Sequence, residues 1–229
     1  MAVNGPIFDA PATLPRGPHD LTRDQVRAAQ ANRLFAAVAE LVADVGYPAV
    51  TIGAIAGRAG VSRATFYEHF TNKEACYVAA YERFGQVLAE RIAGSIHDTD
   101  RWTDLVDAAL TAYLGTLDAD RAAARAFVLE IDGAGPTARA AGRRLYTQMA
   151  DFVRGVHDDI RRDHPELGEL PPESSTALVH GLRGLVRDVL DTQAEPTLVD
   201  LVPSLAQFTR AIILGAGAVA DPPAGPPSG

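Results

Sequence analysis

Thiol chemistry is almost absent from this sequence, for Cys76 is its single cysteine. One thiol excludes an internal disulfide and fits a reducing cytoplasm. Metal-binding patterns are missing too. The six histidines, His19, His69, His97, His157, His164 and His180, form no H-E-x-x-H and no i,i+4 pair, so neither a metal nor a cofactor is expected. His97 with Asp98 and Asp100 is the nearest approach to a cluster, and it reads as a solvated helix end. The N-terminus has neither a basic head nor an apolar run, so no signal peptide is expected. The longest late apolar stretch, 198–219, is broken by Asp200, Pro203, Gln207 and Arg210, which suits a buried interface helix better than a membrane span. No stretch alternates with period two for long enough to make a strand, which leaves an all-α fold. No catalytic motif survives inspection either. The run GVSRA at 60–64 echoes a nucleophile elbow, but that turn needs a preceding strand. The expectation is a protein that is not an enzyme.

What is present is 229 residues, 47% hydrophobic and 22% charged, enough for a folded globule with a real core. Its most informative stretch is 51–74, TIGAIAGRAGVSRATFYEHFTNKE. Thr51 caps a helix over 52–59, Gly60 supplies the left-handed turn, and Ser62 caps a second helix over 63–70. Thr71 and Glu74 form an S/T-x-x-E box that opens a third. Three caps so close together predict a helix-turn-helix. Ile52, Ile55, Ala56 and Ala59 face Val61, Phe66 and Phe70 across it. The other face carries Arg63, Thr65, Tyr67 and His69, with Arg58 before it and Lys73 after it. Arginine reads guanine edges and threonine meets thymine methyls, whereas tyrosine, lysine and helix N-termini hold phosphates.

The pattern T-I-x-x-I-A-x-x-A-G-V-S-x-x-T-F-Y-x-H-F-x-N-K-E resembles the DNA-binding domain of TetR/AcrR-type transcriptional regulators. The likeness covers about fifty residues within 22–81, and Ala64 departs from the glycine or proline common there. The resemblance implies that Thr51, Tyr67, His69 and Lys73 hold phosphates while Arg63 and Thr65 face bases. With Arg58 and the cap Ser62 these make the candidate DNA-binding set.

Charge is distributed to match. The net charge of −8 is unusual for a nucleic-acid binder, but residues 1–91 carry nine basic and nine acidic side chains, against twelve and twenty in 92–229. Within 51–73 Arg58, Arg63 and Lys73 stand against Glu68 alone, and a small basic reading head on an acidic body predicts salt-dependent affinity for double-stranded DNA.

In chain order, 1–20 reads as a flexible extension rich in proline, either a free tail or an arm offering Arg16 and His19 to a minor groove. The DNA-binding domain occupies 21–72, starting at a Thr22–Gln25 capping box, with Leu34, Val38, Leu41, Val42 and Val45 as the core stripe of its first helix. A helical second domain fills 73–220, with helices expected over 74–96, 102–117, 119–132, 137–163, 173–192 and 198–215, and 221–229 is a disordered tail.

For that domain the resemblance implies an effector pocket, with Trp102, Tyr113, Phe127, Tyr146, Met149 and Phe152 as candidate walls and Glu130 and His180 as polar anchors. Glu130 pairs either with Arg125 or Arg183 or with a ligand. The wide apolar faces of the last two helices suit a homodimer interface. The reading is a homodimeric, cytoplasmic, ligand-released repressor acting on a palindromic operator, with DNA and a small-molecule effector as partners and no membrane. Its rivals are a sequence-blind architectural DNA-binding protein and an all-α enzyme using Glu130 and His180.

Overall fold

The computed structural model describes residues 5–8, 22–96, 101–165, 167–193 and 197–215. The proposed Arg16–His19 arm, the cluster at 97–100 and the 221–229 tail lie outside them. Among the described residues every regular element is helical.

The head comprises α1 (Arg23–Val45), α2 (Ile52–Arg58) and α3 (Arg63–His69). The body comprises α4 (Lys73–Ser95), α5 (Trp102–Ala119), α6 (Arg121–Glu130), α7 (Pro136–Arg161), α8 (Pro172–Thr192) and α9 (Val202–Gly215). Short 3-10 turns sit at Tyr47–Ala49 and Leu198–Leu201.

Local signals set most boundaries. Thr22 Oγ1 accepts from Gln25 N at 3.2 Å while Thr22 N donates to Gln25 Oε1 at 2.8 Å, a closed capping box. Gly46 and Gly60, at φ 76° and 64°, end α1 and turn the chain between α2 and α3. Thr51 caps α2 and Ser62 caps α3. The opening of α4 differs from the expected box. Its cap is Asn72, whose Oδ1 accepts from Ala75 N at 2.8 Å. Thr71 stays exposed, and Glu74 turns away to accept from Thr137 N at the start of α7 (3.2 Å). Asn72 wins because its amide oxygen sits one residue closer to the helix it serves.

Two further expectations are corrected. Val45 is 57% exposed, whereas Val42 in the same last turn is buried, so the core stripe of α1 ends at Val42. The final helix expected over 198–215 is a 3-10 turn followed by α9. Asp118 accepts from Leu198 N and Val199 N, each at 3.0 Å, and pins that turn. The segment Leu198–Gly215 is long and apolar enough to cross a membrane by composition. Its Leu205, Ala206, Thr209 and Ile213 are buried, with α9 lying against α5.

The head core joins Leu34, Val38, Ile55, Ala56 and Phe66, all nearly inaccessible. It runs without a break into the body, because α1 lies along both α4 and α6. The N-terminal extension also joins it at Gly5–Phe8. Ile7 and Phe8 are buried, Ile7 N donates to Asp120 Oδ2 (3.1 Å), and Arg91 holds the Gly5 carbonyl (2.9 Å). The Phe8 ring lies 5.8 Å from Phe35 in α1 and 6.1 Å from Phe127 in α6, bridging head and body.

Candidate nucleic-acid interface and internal cavity

On α3, Phe66 is fully buried while its neighbour Tyr67 is 58% exposed, so the helix anchors by one face and offers the other. Arg63 projects to solvent over Gly53, where a Cβ would crowd its guanidinium. Thr65 is half-buried with its hydroxyl 3.0 Å from that of Ser62. Thr51 and Ser62 are exposed but use their oxygens as caps, accepting from Ala54 N and Thr65 N.

The remaining three candidates have work inside the protein. Arg58 is held by Glu40 (2.8 Å) and Asp44 (3.5 Å), and the Glu40 bond leads in raising its pKa. His69 Nε2 lies 3.1 Å from Gln30 Oε1, and burial, followed by Arg27, lowers its pKa. Lys73 Nζ donates to the carbonyls of Tyr47 (2.9 Å) and Pro48 (3.4 Å) and sits over the Tyr47 ring, with its pKa lowered by burial. Arg63 and Tyr67 are therefore the side chains that can reach a duplex without breaking an internal contact.

The body holds a cavity of about 200 Å³ between α4, α5, α6, α7, α8 and α9. Five of the eight candidate pocket residues line it: Tyr113, Phe127, Tyr146, Met149 and Phe152. The other three do not. Trp102, the first residue of α5, packs on the core outside the cavity. His180 is exposed, its ring 5.2 Å from Tyr146. Glu130 closes α6 and faces the head, where Oε2 accepts from Tyr47 N at 3.4 Å. Neither proposed arginine takes it: Arg183 bonds Asp132 (2.7 Å) and Arg125 bonds the Leu190 carbonyl. Glu130 and His180 thus serve different neighbours, and the acid–base pair of the enzyme reading does not form.

Sequence reasoning missed the junction at Tyr47. Lys73 from α4 and Glu130 from α6 grip opposite sides of its backbone, and its ring lies 4.9 Å from that of Tyr77. It also missed Arg183 and Tyr81 as cavity residues. A polar-tipped side chain inside the α4 apolar stripe was the available signal.

From the cavity wall to α3 the aromatic rings touch in series. Phe84 meets Phe127 (5.1 Å), Phe127 meets Phe8, Phe8 meets Phe35, Phe35 meets Phe70 (5.8 Å), and Phe70 meets Phe66 (5.9 Å). Cys76 lies in the same joint, fully buried, with its thiol pushed up to about 12 by desolvation and hence inert.

Residues 34–80 match the profile of the bacterial regulatory proteins of the tetR family. Over 100 residues the chain is 31% identical to the HTH-type transcriptional activator FasR of Mycolicibacterium smegmatis, a match spanning 44% of each protein. The fold is similar to that of the fatty acid degradation regulator FadR of Bacillus halodurans, with TM-score 0.73, 17% identity, and coverage of 81% of this chain and 95% of that one. FadR of Bacillus subtilis, solved in complex with stearoyl-CoA, gives TM-score 0.70 at 18% identity, covering 80% and 97%. The helix-turn-helix of α2 and α3 thus lies within the segment that matches the tetR family profile, and the helical body behind it shares its fold with the two FadR structures.

Proposed function

We propose that the protein is a cytoplasmic, homodimeric, ligand-released repressor that binds a palindromic operator and responds to a long-chain acyl compound. One observation carries this reading: α4, which begins four residues after α3 ends, forms a wall of the apolar cavity. Any ligand that displaces α4 therefore acts on the reading helix. The cavity is smaller than the roughly 300–1,000 Å³ of typical ligand sites, so a long ligand has to part the helices. One close seam is at Gly85 of α4, where a Cβ would force the Leu145 side chain of α7 to shift. The contacts of Lys73 and Glu130 with Tyr47 would pass that movement to the head.

The acyl class is supported by the apolar lining and by the stearoyl-CoA held in the similar fold of FadR. A cavity in the body also argues against the architectural reading, which needs none. Dimerisation is supported by Leu185, Phe208 and Leu214, large apolar side chains left 41–52% exposed on α8 and α9. Two heads related by a twofold axis would meet half-sites about 34–36 Å apart. The FasR relative is by name an activator, which favours a second reading in which the DNA-bound form activates. Effector release is common to both.

The test is selection of bound duplexes from a random pool at low salt, followed by a promoter–reporter assay on the winner. A palindromic consensus released by acyl compounds supports the proposal, and the reporter's direction fixes repression or activation. Sequence-blind binding by a folded dimer would refute it.

A further inference from the structure

The cavity wall contains a buried hydroxyl that the protein leaves without a well-formed bond. Tyr81, on α4, is 2% exposed, and its Oη makes no hydrogen bond of ordinary geometry, the Tyr146 phenol being near enough only for a poorly formed one. Buried hydroxyls normally find a good partner, because desolvating a hydroxyl without one is unfavourable. Tyr77, one turn earlier on the same helix and equally buried, shows the normal solution by donating to the Ala126 carbonyl at 2.6 Å. Phenylalanine at 81 would fill the same space without a poorly bonded donor. Thr209, in the α9 wall, has an unbonded oxygen, but a helical threonine can turn to its own backbone and needs no ligand.

The surroundings of Tyr81 are polar where the rest of the cavity is not. Tyr113 and Tyr146 line the same end, and Arg183 reaches into it with its guanidinium 4.9 Å from the Tyr146 ring centre. Burial leads in raising the Tyr81 pKa, followed by the Tyr146 phenol, while Arg183 opposes the rise, so all three groups sense one another. Arg183 and Arg187 share one carboxylate, Asp132, at 2.7 and 3.8 Å, and both also donate to the Val128 carbonyl. In the other direction Phe84, Leu88, Ile92 and Ile96 continue along α4 into the cavity. From Tyr81 to Ile96 the helix rises roughly 22 Å, and that wall is wholly apolar.

We propose that the head-proximal end of the cavity is an acyl-oxygen subsite, in which Tyr81 Oη donates to the carbonyl or carboxylate oxygen of the effector beside Arg183, while the hydrocarbon tail runs along α4 toward Ile96. The proposal rests on the acyl-effector reading and adds to it the ligand's orientation and the group that recognises its oxygen. It also accounts for a buried hydroxyl without a well-formed bond: the better acceptor belongs to the ligand. The same chemistry is offered by a free fatty acid and by an acyl thioester.

The experiment is calorimetric titration of the full-length protein and its Tyr81→Phe variant with stearate and, separately, with stearoyl-CoA, alongside melting curves without ligand. The expected result is a loss of about tenfold in affinity in the variant for at least one probe, with an unliganded melting temperature no lower than that of the parent. The probe that shows the loss identifies the source of the oxygen. Unchanged affinity of Tyr81→Phe for every probe the parent binds would overturn the subsite while leaving the acyl reading standing. Failure of the parent to bind either probe would overturn the acyl reading and the subsite with it. Tyr146→Phe, which keeps the Tyr81 donor, should lose less than Tyr81→Phe; an equal or greater loss would move the recognition to Tyr146 and contradict the assignment.

Discussion

Arg63 and Tyr67 project from α3, while Arg58, His69 and Lys73 are held by their own protein, and this difference sorts the consequences of mutation. Arg63→Ala should relax base preference at one operator position by about 1–3 kcal/mol, and Tyr67→Phe should weaken all sequences alike. Parallel anisotropy titrations on matched and mismatched duplexes distinguish the two. Lys73→Ala should lower folding stability by about 1 kcal/mol in urea melts as well as weakening DNA binding, because its ammonium satisfies two carbonyls of the Tyr47–Ala49 turn. A loss of DNA affinity with stability untouched would mean that the lysine serves phosphate alone. His157 supplies a pH dependence. Burial is the leading cause of its lowered pKa, and the Asp158 carboxylate 3.8 Å away only partly offsets it. His69 is lowered as well. As pH falls through the ordinary histidine value near 6.5, the unfolded chain takes up protons before the folded one, so stability should decline toward the lowered folded values. Melting temperatures between pH 7.5 and 5 should therefore fall less steeply in His157→Leu than in the parent, with the share due to His69 remaining.

Caps and glycines made the element boundaries readable before any coordinates, because each acts within three or four residues. Thr22 with Gln25, Thr51, Ser62, Gly46 and Gly60 all behave as local rules dictate. The error at α4 arose between two adjacent residues that both qualify as caps. It yields a sharp test: Asn72→Ala should cost about 1 kcal/mol, and Thr71→Ala no more than a few tenths. Ile7 and Phe8 were not legible as buried. Their pocket is assembled from Phe35, Asp120 and Phe127, far away in sequence, and two apolar residues in a proline-rich segment carry no period. Glu130 failed for the same reason, since its partner is the backbone amide of Tyr47, far away in sequence. Tyr113, Phe127, Tyr146, Met149 and Phe152, which the resemblance singled out, line the cavity. Phe8→Ala should destabilise the protein by about 3 kcal/mol if the ring fills the joint as described. Urea unfolding of the full-length variant measures this directly.

At the scale of the whole molecule, head and body share one continuous core, so neither can shift without the other adjusting. The junction consists of α1 against α6, the Tyr47 turn gripped from two sides, and the ring series through Phe8. Packed arrangements of this kind move between discrete states rather than stretching, and coupling of one or two kcal/mol alters affinity roughly five- to thirty-fold. The proposed pairing through α8 and α9 belongs to the same scale. Leu185→Glu combined with Phe208→Glu should yield monomers in sedimentation velocity runs and abolish high-affinity binding to a palindrome, leaving half-site binding. The measurement that bears most directly on the account is a fluorescence-anisotropy titration of the selected operator at fixed salt, with and without saturating stearoyl-CoA or stearate. The account predicts a Kd five- to thirty-fold higher when the cavity is occupied. An unchanged Kd, with calorimetry showing the acyl compound bound, would contradict it.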